Sequence, residues 1–73
     1  MTNSTIETFR NNIKFYRTLR NLTQERLSEL AGVSTDYISE IERGKKTPSF
    51  KRLLLIAEAL KIEPYLLLKP QDK

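Results

Sequence analysis

Apolar residues recur at spacings of three and four along most of the chain, which is the pattern of amphipathic helices. In the first segment the recurring residues are Ile6, Phe9, Ile13 and Tyr16. Further inner faces are predicted from Leu27, Leu30 and Ala31, from Ile38 and Ile41, and from Leu53, Ile56, Ala57 and Leu60. No segment alternates apolar and polar residues as a half-buried strand does. The pattern predicts an all-α domain, with Phe9, Phe15 and Phe50 expected in its core.

Helix-boundary residues divide these faces into five predicted helices. Ser4-Thr5-Ile6-Glu7 is a capping box that begins the first helix, and Asn21 ends it because Asn tolerates the left-handed conformation. The other boundaries are predicted at the N-caps Thr23, Ser34 and either Thr47 or Ser49, at Gly32 and Gly44, and at Pro64 and Pro70 around a short fifth helix. Residues 1–73 are predicted to form a single domain, with a core over 6–68 and short flexible tails.

Composition removes most catalytic chemistry. A chain of 73 residues holds a single core. It has no Cys and no His, so disulfides, zinc sites and His-based triads are excluded, and two glycines do not make a phosphate-binding loop. Its longest apolar run, Leu53–Ala57, is far shorter than the roughly 20 residues of a membrane helix. We therefore expect a cytoplasmic protein that is not an enzyme and has no cofactor, metal, small-molecule ligand or membrane attachment.

Basic residues are concentrated in two segments. The chain has 13 Lys and Arg against 9 Asp and Glu, a net charge of +4. Residues 43–52 carry five basic residues and no acidic one, and residues 10–20 carry four and none. Two basic clusters on a small domain favour a polyanionic partner. The alternative is that these side chains only solvate helix surfaces.

The stretch from Gln24 to Ile41 predicts a particular supersecondary motif. Its two helices are joined across Gly32 with only Val33 and Ser34 between them, which forces the steep crossing of a helix-turn-helix. Such a turn needs a residue with positive φ, and glycine stands there. The crossing point needs a small side chain, which Ser28 supplies.

These residues also resemble a known family. Leu22–Leu27, Ala31–Ser34 and Tyr37–Gly44 resemble the helix-turn-helix proteins of the Cro/phage-repressor (xenobiotic-response-element) type, and Thr47-Pro48-Ser49 begins a similar fourth helix. The resemblance implies a compact, lambda-repressor-like domain of four or five helices. It also implies a bacterial or phage-encoded regulator, most simply a repressor, that binds double-stranded DNA as a homodimer with its third helix in the major groove. On DNA it would be associated with the nucleoid.

The resemblance implies roles for individual residues. The candidates for base reading are Thr35, Asp36, Tyr37, Ser39, Glu40 and Arg43. The candidates for phosphate contact are Thr23, Gln24, Arg43, Lys45 and Lys46. Arg17 and Glu42 match an ion pair that ties the first helix to the third. For Tyr37 a second role stays open, in which its ring covers Gly32 and Leu27 instead of contacting DNA.

The third helix departs from the usual pattern of a recognition helix. It carries Asp36, Glu40 and Glu42 but only one basic residue, Arg43. Recognition helices more often present Gln, Asn or Arg, and phosphates repel carboxylates. The basic clusters would have to offset that repulsion.

Apolar residues near the C-terminus exceed what a small core absorbs. They predict a symmetric homodimer interface, because an isologous contact needs one self-complementary apolar patch. The candidates are Leu54, Leu55, Tyr65, Leu67 and Leu68.

Three other functions remain open at this point. A restriction-modification controller protein and the antitoxin of a toxin–antitoxin pair are variants of the same DNA-binding role. A protein–protein interaction module that has lost DNA binding belongs to a different class. The acidic third helix favours this module, and the basic run from Arg43 to Arg52 opposes it.

Overall fold

A computed structural model describes residues 3–71 of the chain, and its side chains from residue 6 onward. Its helices are α1 (Asn3–Leu19), α2 (Gln24–Ala31), α3 (Thr35–Glu42) and α4 (Phe50–Leu60), followed by a short 3-10 helix, Pro64–Leu67. Residues 3–71 contain no strand, so the all-α prediction is confirmed. The prediction of five α-helices is wrong by one. The last element is a 3-10 helix, in which the Leu66 N–H donates to the Glu63 carbonyl at 3.0 Å.

Side-chain caps begin α2, α3 and α4 as predicted. Thr23 Oγ1 accepts from the Arg26 N–H at 2.9 Å, and Ser34 Oγ accepts from the Tyr37 N–H at 3.0 Å. Of the two candidates for α4, Ser49 is the cap, and its Oγ accepts from the Arg52 N–H at 3.3 Å. These contacts satisfy backbone donors that have no partner within a helix.

Residues in the left-handed conformation end the helices. Asn21, Gly32 and Gly44 have φ of 59°, 72° and 76°, in agreement with the prediction. Lys61 ends α4 with φ of 60°, which its sequence did not signal. The first boundary was predicted too late: α1 already includes Asn3, so Ser4 lies inside the helix and is not its N-cap. Residues 1–2 lie outside the described part of the chain.

The core lies at the centre of the four α-helices and is closed by the 3-10 helix. Its fully buried apolar side chains are Ile13, Leu27, Ile38, Ile41, Ile56, Leu60 and Leu67. The burial of Leu67 contradicts its assignment to a dimer interface, because it packs inside the domain that the 3-10 helix closes.

Three residues expected inside are exposed. Leu30 is 47% exposed because the buried arc of α2 is centred on Leu27, Ser28 and Ala31, roughly 100° from Leu30 around the helix. Phe50 is the first residue of α4 and lies at the edge of the core, where it is 75% exposed. Phe15 faces away from the apolar stripe of α1.

Asn12 is a fully buried polar residue that fastens the end of the chain to α1. Its Nδ2 donates to the carbonyls of Leu66, Leu67 and Lys69 at 3.1, 2.9 and 2.8 Å. Its Oδ1 accepts from Gln71 Nε2 at 2.8 Å. Lys69 and Gln71 were expected in a flexible tail, but these bonds tie them to the core; residues 72–73 lie outside the described part. None of the described helices has the length and apolar character to cross a membrane.

Candidate nucleic-acid interface

The helix-turn-helix is built at the close crossing of α2 and α3. After Gly32 reverses the chain, the Val33 N–H donates to the Ser28 carbonyl at 3.0 Å. Ser28 is buried at the crossing, and its Oγ lies 3.1 Å from Thr35 Oγ1 on α3. A larger residue at position 28 would push the two helices apart, so the small side chain sets how α3 is presented.

α3 buries one face and exposes the other. Ile38 and Ile41 are in the core, whereas Thr35 and Asp36 are exposed and Ser39 is half-buried. Four of the predicted base readers are therefore at least partly accessible to solvent: Thr35, Asp36, Ser39 and Glu40. Arg43 is exposed where the helix ends. An outward polar face on a helix held by its apolar face is the geometry that major-groove reading requires.

Tyr37 differs from the other predicted base readers in its burial. Its side chain is buried and packs in the core. Two cations lie over its ring, Lys46 Nζ at 5.2 Å and Arg52 Cζ at 4.9 Å from the ring centroid. Cation–π contacts of this kind stabilise the position of both side chains. Tyr37 thus supports two basic residues, and little of its side chain is left exposed for contact with DNA.

Two of the three carboxylates on α3 are neutralised within the protein. Glu42 accepts from Arg17 Nε at 2.7 Å and from Arg17 Nη2 at 3.1 Å. Glu40 Oε1 lies 3.1 Å from Lys46 Nζ. Asp36 has no cationic partner in the described residues, but it lies in the first turn of α3, where the helix dipole favours a negative charge. Within residues 6–71, the unpaired negative charge of α3 is therefore reduced to Asp36.

The Glu42 carboxylate also determines where Gln24 lies. Gln24 Nε2 donates to Glu42 Oε1 at 3.0 Å. This bond holds the Gln24 side chain, at the start of α2, beside α3. Thr23, the preceding residue, is exposed and uses its hydroxyl oxygen to cap α2. Unpaired N–H groups at such a helix start favour an anion such as phosphate.

A basic surface borders the end of α3. Arg43, Lys45 and Lys46 are exposed there, as expected for backbone-phosphate contacts. Two further cations join them that sequence reasoning did not assign to the site. Arg52 is one, through its contact with Tyr37. Arg10 is the other, because its guanidinium lies beside Gly44, just after the end of α3. A Cβ placed on Gly44 would lie only 3.0 Å from Arg10 Nη1. Arg10 and Arg52 belong to the two basic segments of the sequence, and that clustering is the feature from which they could have been predicted.

The rest of the first basic segment has internal roles. Arg17 is paired with Glu42, and its Nη1 donates to the Leu22 carbonyl at 2.8 Å. Arg20 donates from Nε to the Leu60 carbonyl at 2.8 Å and from Nη2 to the Lys61 carbonyl at 3.1 Å, which caps the end of α4. In the part of the chain that the structure describes, no group of His, Cys, Asp or Glu could hold a metal ion.

The family model for the helix-turn-helix, HTH_3, matches residues 13–67. The chain belongs to this family and is a DNA-binding transcriptional regulator. It is 48% identical over 56 residues to an uncharacterised HTH-type transcriptional regulator from Methanocaldococcus jannaschii, a match that covers 74% of this chain and 85% of the relative.

Two solved structures show the same arrangement of helices. The restriction-modification controller protein C.AhdI from Aeromonas hydrophila superposes with a TM-score of 0.84 at 34% identity, covering 88% of this chain and 97% of that one. The P22 c2 repressor in complex with a synthetic operator superposes with a TM-score of 0.80 at 32% identity, covering 86% and 96%. The predicted lambda-repressor-like architecture and the suspected family are confirmed.

Proposed function

We propose that the protein is a homodimeric repressor that inserts α3 into the major groove of a near-palindromic operator. The observation that carries this proposal is the electrostatic arrangement around α3. Its Glu40 and Glu42 carboxylates are paired with Lys46 and Arg17, while exposed cations border the end of the helix. A reading face flanked by basic residues suits approach to a duplex, whose phosphates bind the flanks while base edges meet the helix.

Thr35, Asp36 and Ser39 are the central base readers in this proposal. Each has a short polar side chain on the outer surface of α3. A hydroxyl bonds to several base edges, and a carboxylate accepts from the cytosine amino group. Arg43, at the edge of the reading face, contacts a base or a phosphate. Glu40 acts mainly through its ion pair with Lys46.

Phosphate contacts come from both sides of the reading face. Lys45, Lys46 and Arg43 lie on one side, and the start of α2 at Thr23 and Gln24 lies on the other. Contacts at two separate places fix the orientation of a recognition helix on the duplex, whereas one alone leaves it free to pivot.

Homodimerisation uses the apolar surface of α4 and the 3-10 helix. Leu54, Leu55, Tyr65 and Leu68 remain exposed to different extents and form the proposed contact. One α3 reads too few base pairs to select an operator from a genome. Two copies related by a two-fold axis would place their recognition helices about 34 Å apart, one turn of the duplex.

The experiment that tests the proposal is selection of bound duplexes from a random pool. We expect the enriched sequences to share a near-palindrome whose half-sites are centred about one helical turn apart. The Ser39→Ala variant, selected in parallel, should lose preference at one base position in each half-site. Enrichment of no sequence by the wild-type protein would contradict the proposal and favour the interaction module.

A restriction-modification controller protein is the second candidate. The observation in its favour is the match to C.AhdI, of which 97% is covered. Genes for a methylase and an endonuclease beside the coding region would select this candidate, whereas a neighbouring toxin gene would select an antitoxin. The repressor, the controller protein and the antitoxin would all use the same DNA-binding surface.

A further inference from the structure

A second concave surface shares no residue with the proposed DNA-binding face. It is a cleft of about 320 Å³ between the end of α1, α2 and the end of α4. Its lining residues are Arg20, Leu22, Arg26, Leu30, Ala59 and Lys61. None of them belongs to α3 or to the basic loop that follows it.

Every charged side chain that lines the cleft is basic. Arg20 is held in place by its two hydrogen bonds to the carbonyls at the end of α4, of 2.8 and 3.1 Å, and those acceptors carry no formal charge. Arg26 forms an exposed salt bridge with Glu29, with 3.0 Å between Nη1 and Oε1. Across residues 6–71, neither Arg20 nor Lys61 has a carboxylate partner. The cleft therefore presents positive charge that the protein does not neutralise.

The floor of the cleft is apolar. Leu30, which the sequence pattern assigned to the core, lies here with almost half of its side chain exposed. Leu22 and Ala59 are half-buried beside it. A concave apolar floor with a few polar groups around it is typical of a binding site, because both an apolar anchor and charged neighbours can be satisfied at once.

We propose that this cleft binds an acidic peptide segment of a partner protein. One apolar side chain of the peptide packs on Leu30, and flanking carboxylates approach Arg20, Arg26 and Lys61. Charge complementarity determines the sign of the ligand, and the apolar floor favours a peptide over a nucleic acid. Phosphates are bound by basic side chains that project toward a duplex, and a duplex has no apolar side chain to fill a cleft of this size.

The test is an NMR titration of the isotope-labelled protein with the capped hexapeptide Asp-Glu-Leu-Phe-Asp-Glu. The amide signals of Leu22, Arg26, Leu30 and Lys61 are expected to shift, while those of Ser39 and Lys45 stay in place. A second peptide, with Ser in place of its Leu and Phe, should bind at least about tenfold more weakly, since burying one large apolar side chain contributes about 1.5 kcal/mol or more.

Two variants probe the two parts of the cleft. Leu30→Ser should weaken peptide binding at least about tenfold. Leu19→Ser removes another exposed leucine, from α1, and should leave binding unchanged. Lys61→Gly removes one cation at a position whose φ of 60° glycine adopts without strain. It should weaken binding and reduce its salt dependence.

Four results of these experiments would contradict the proposal. It is wrong if about 5 mM peptide shifts no signal of the cleft, if the shifts centre on α3, or if Leu30→Ser and Leu19→Ser bind the peptide equally. It is also wrong if a DNA duplex moves the cleft signals more than those of α3, because the cleft would then be a DNA surface. Leu30→Ser is expected to bind DNA normally, so failure of this proposal is distinct from failure of the DNA-binding proposal.

Discussion

Arg17 and Glu42 join α1 to the recognition helix through a two-point ion pair. Arg17 Nε lies 2.7 Å from Glu42 Oε2, and Nη2 lies 3.1 Å from Oε1. The side chains are only 15% and 4% exposed, so water screens this pair little. Gln24 donates to the same carboxylate, which connects α2 to the pair as well. One buried carboxylate thus links the three helices that carry the proposed DNA-binding face.

Replacing Glu42 with Ala is expected to lower the free energy of unfolding by about 3 kcal/mol. The variant leaves the Arg17 guanidinium largely buried without its counter-charge, and that is the costly state of a broken ion pair. Urea unfolding measures the change. Glu29→Ala is the matched control, because its partner Arg26 is exposed, and it should change stability by less than about 1 kcal/mol. Equal losses in the two variants would show that burial of the pair contributes nothing.

Replacing Asn12 with Ala is expected to destabilise the protein by about 2 kcal/mol. The buried carbonyl of Leu67 would lose its 2.9 Å donor, and the links to Lys69 and Gln71 would be lost with it. Thermal or urea unfolding measures the loss. Asn11→Ala removes the same group from the exposed neighbouring position and should stay within about 0.5 kcal/mol of the wild type. Similar stabilities for the two variants would contradict the role of Asn12.

Replacing Glu40 with Gln is expected to raise affinity for every duplex by the same factor, up to about fivefold at low salt. The change keeps the shape of the side chain but removes a carboxylate that repels phosphates and competes with them for Lys46, whose Nζ lies 3.1 Å away. Competition binding with duplexes that differ at single base pairs measures it. Glu58→Gln makes the same charge change on the exposed surface of α4 and is the control. A switch in preference at one base pair would instead make Glu40 a base reader.

Sequence reasoning found the features that depend on neighbouring residues. The caps Thr23 and Ser34 and the left-handed Asn21, Gly32 and Gly44 follow from local backbone chemistry, and all agree with the structure. The helix-turn-helix is equally local, since a two-residue connection after a glycine leaves few ways to place α3.

Features that depend on which side of a helix meets the rest of the molecule were harder to predict. α2 has only eight residues, so Leu30 fits the apolar period although the core lies toward Leu27 and Ala31. Leu67 is internal because it lies in the 3-10 helix that packs against the core, a docking that the spacing of apolar residues does not reveal. The pairing of Glu40 with Lys46 depends on the path of a loop, which no spacing rule supplies.

Replacing Tyr65 with Ala, or Leu68 with Glu, is expected to convert the proposed homodimer to a folded monomer. Both side chains are at least half exposed, so the domain itself should keep its core. Melting temperature should become independent of protein concentration, and operator binding should lose cooperativity, because dimerisation and folding are no longer linked.

Sedimentation equilibrium checks the loss of the dimer, with Leu19→Glu on α1 as a control that stays dimeric. Leu67→Glu is unsuitable as a probe, because it would place a charge in the core. A wild-type monomer at high concentration would contradict this assignment of the interface.

The salt dependence of binding to a selected duplex tests the central claim most directly. If each protomer contacts about three to five phosphates, the log–log slope of affinity against salt should lie between about −5 and −9. Lys45→Ala and Lys46→Ala should each reduce the magnitude of that slope by roughly one while leaving sequence preference unchanged. Fluorescence anisotropy from ~50 mM salt upward measures both quantities. A slope near zero, or no binding of any duplex at the lowest salt, would contradict the claim that this protein acts by binding DNA.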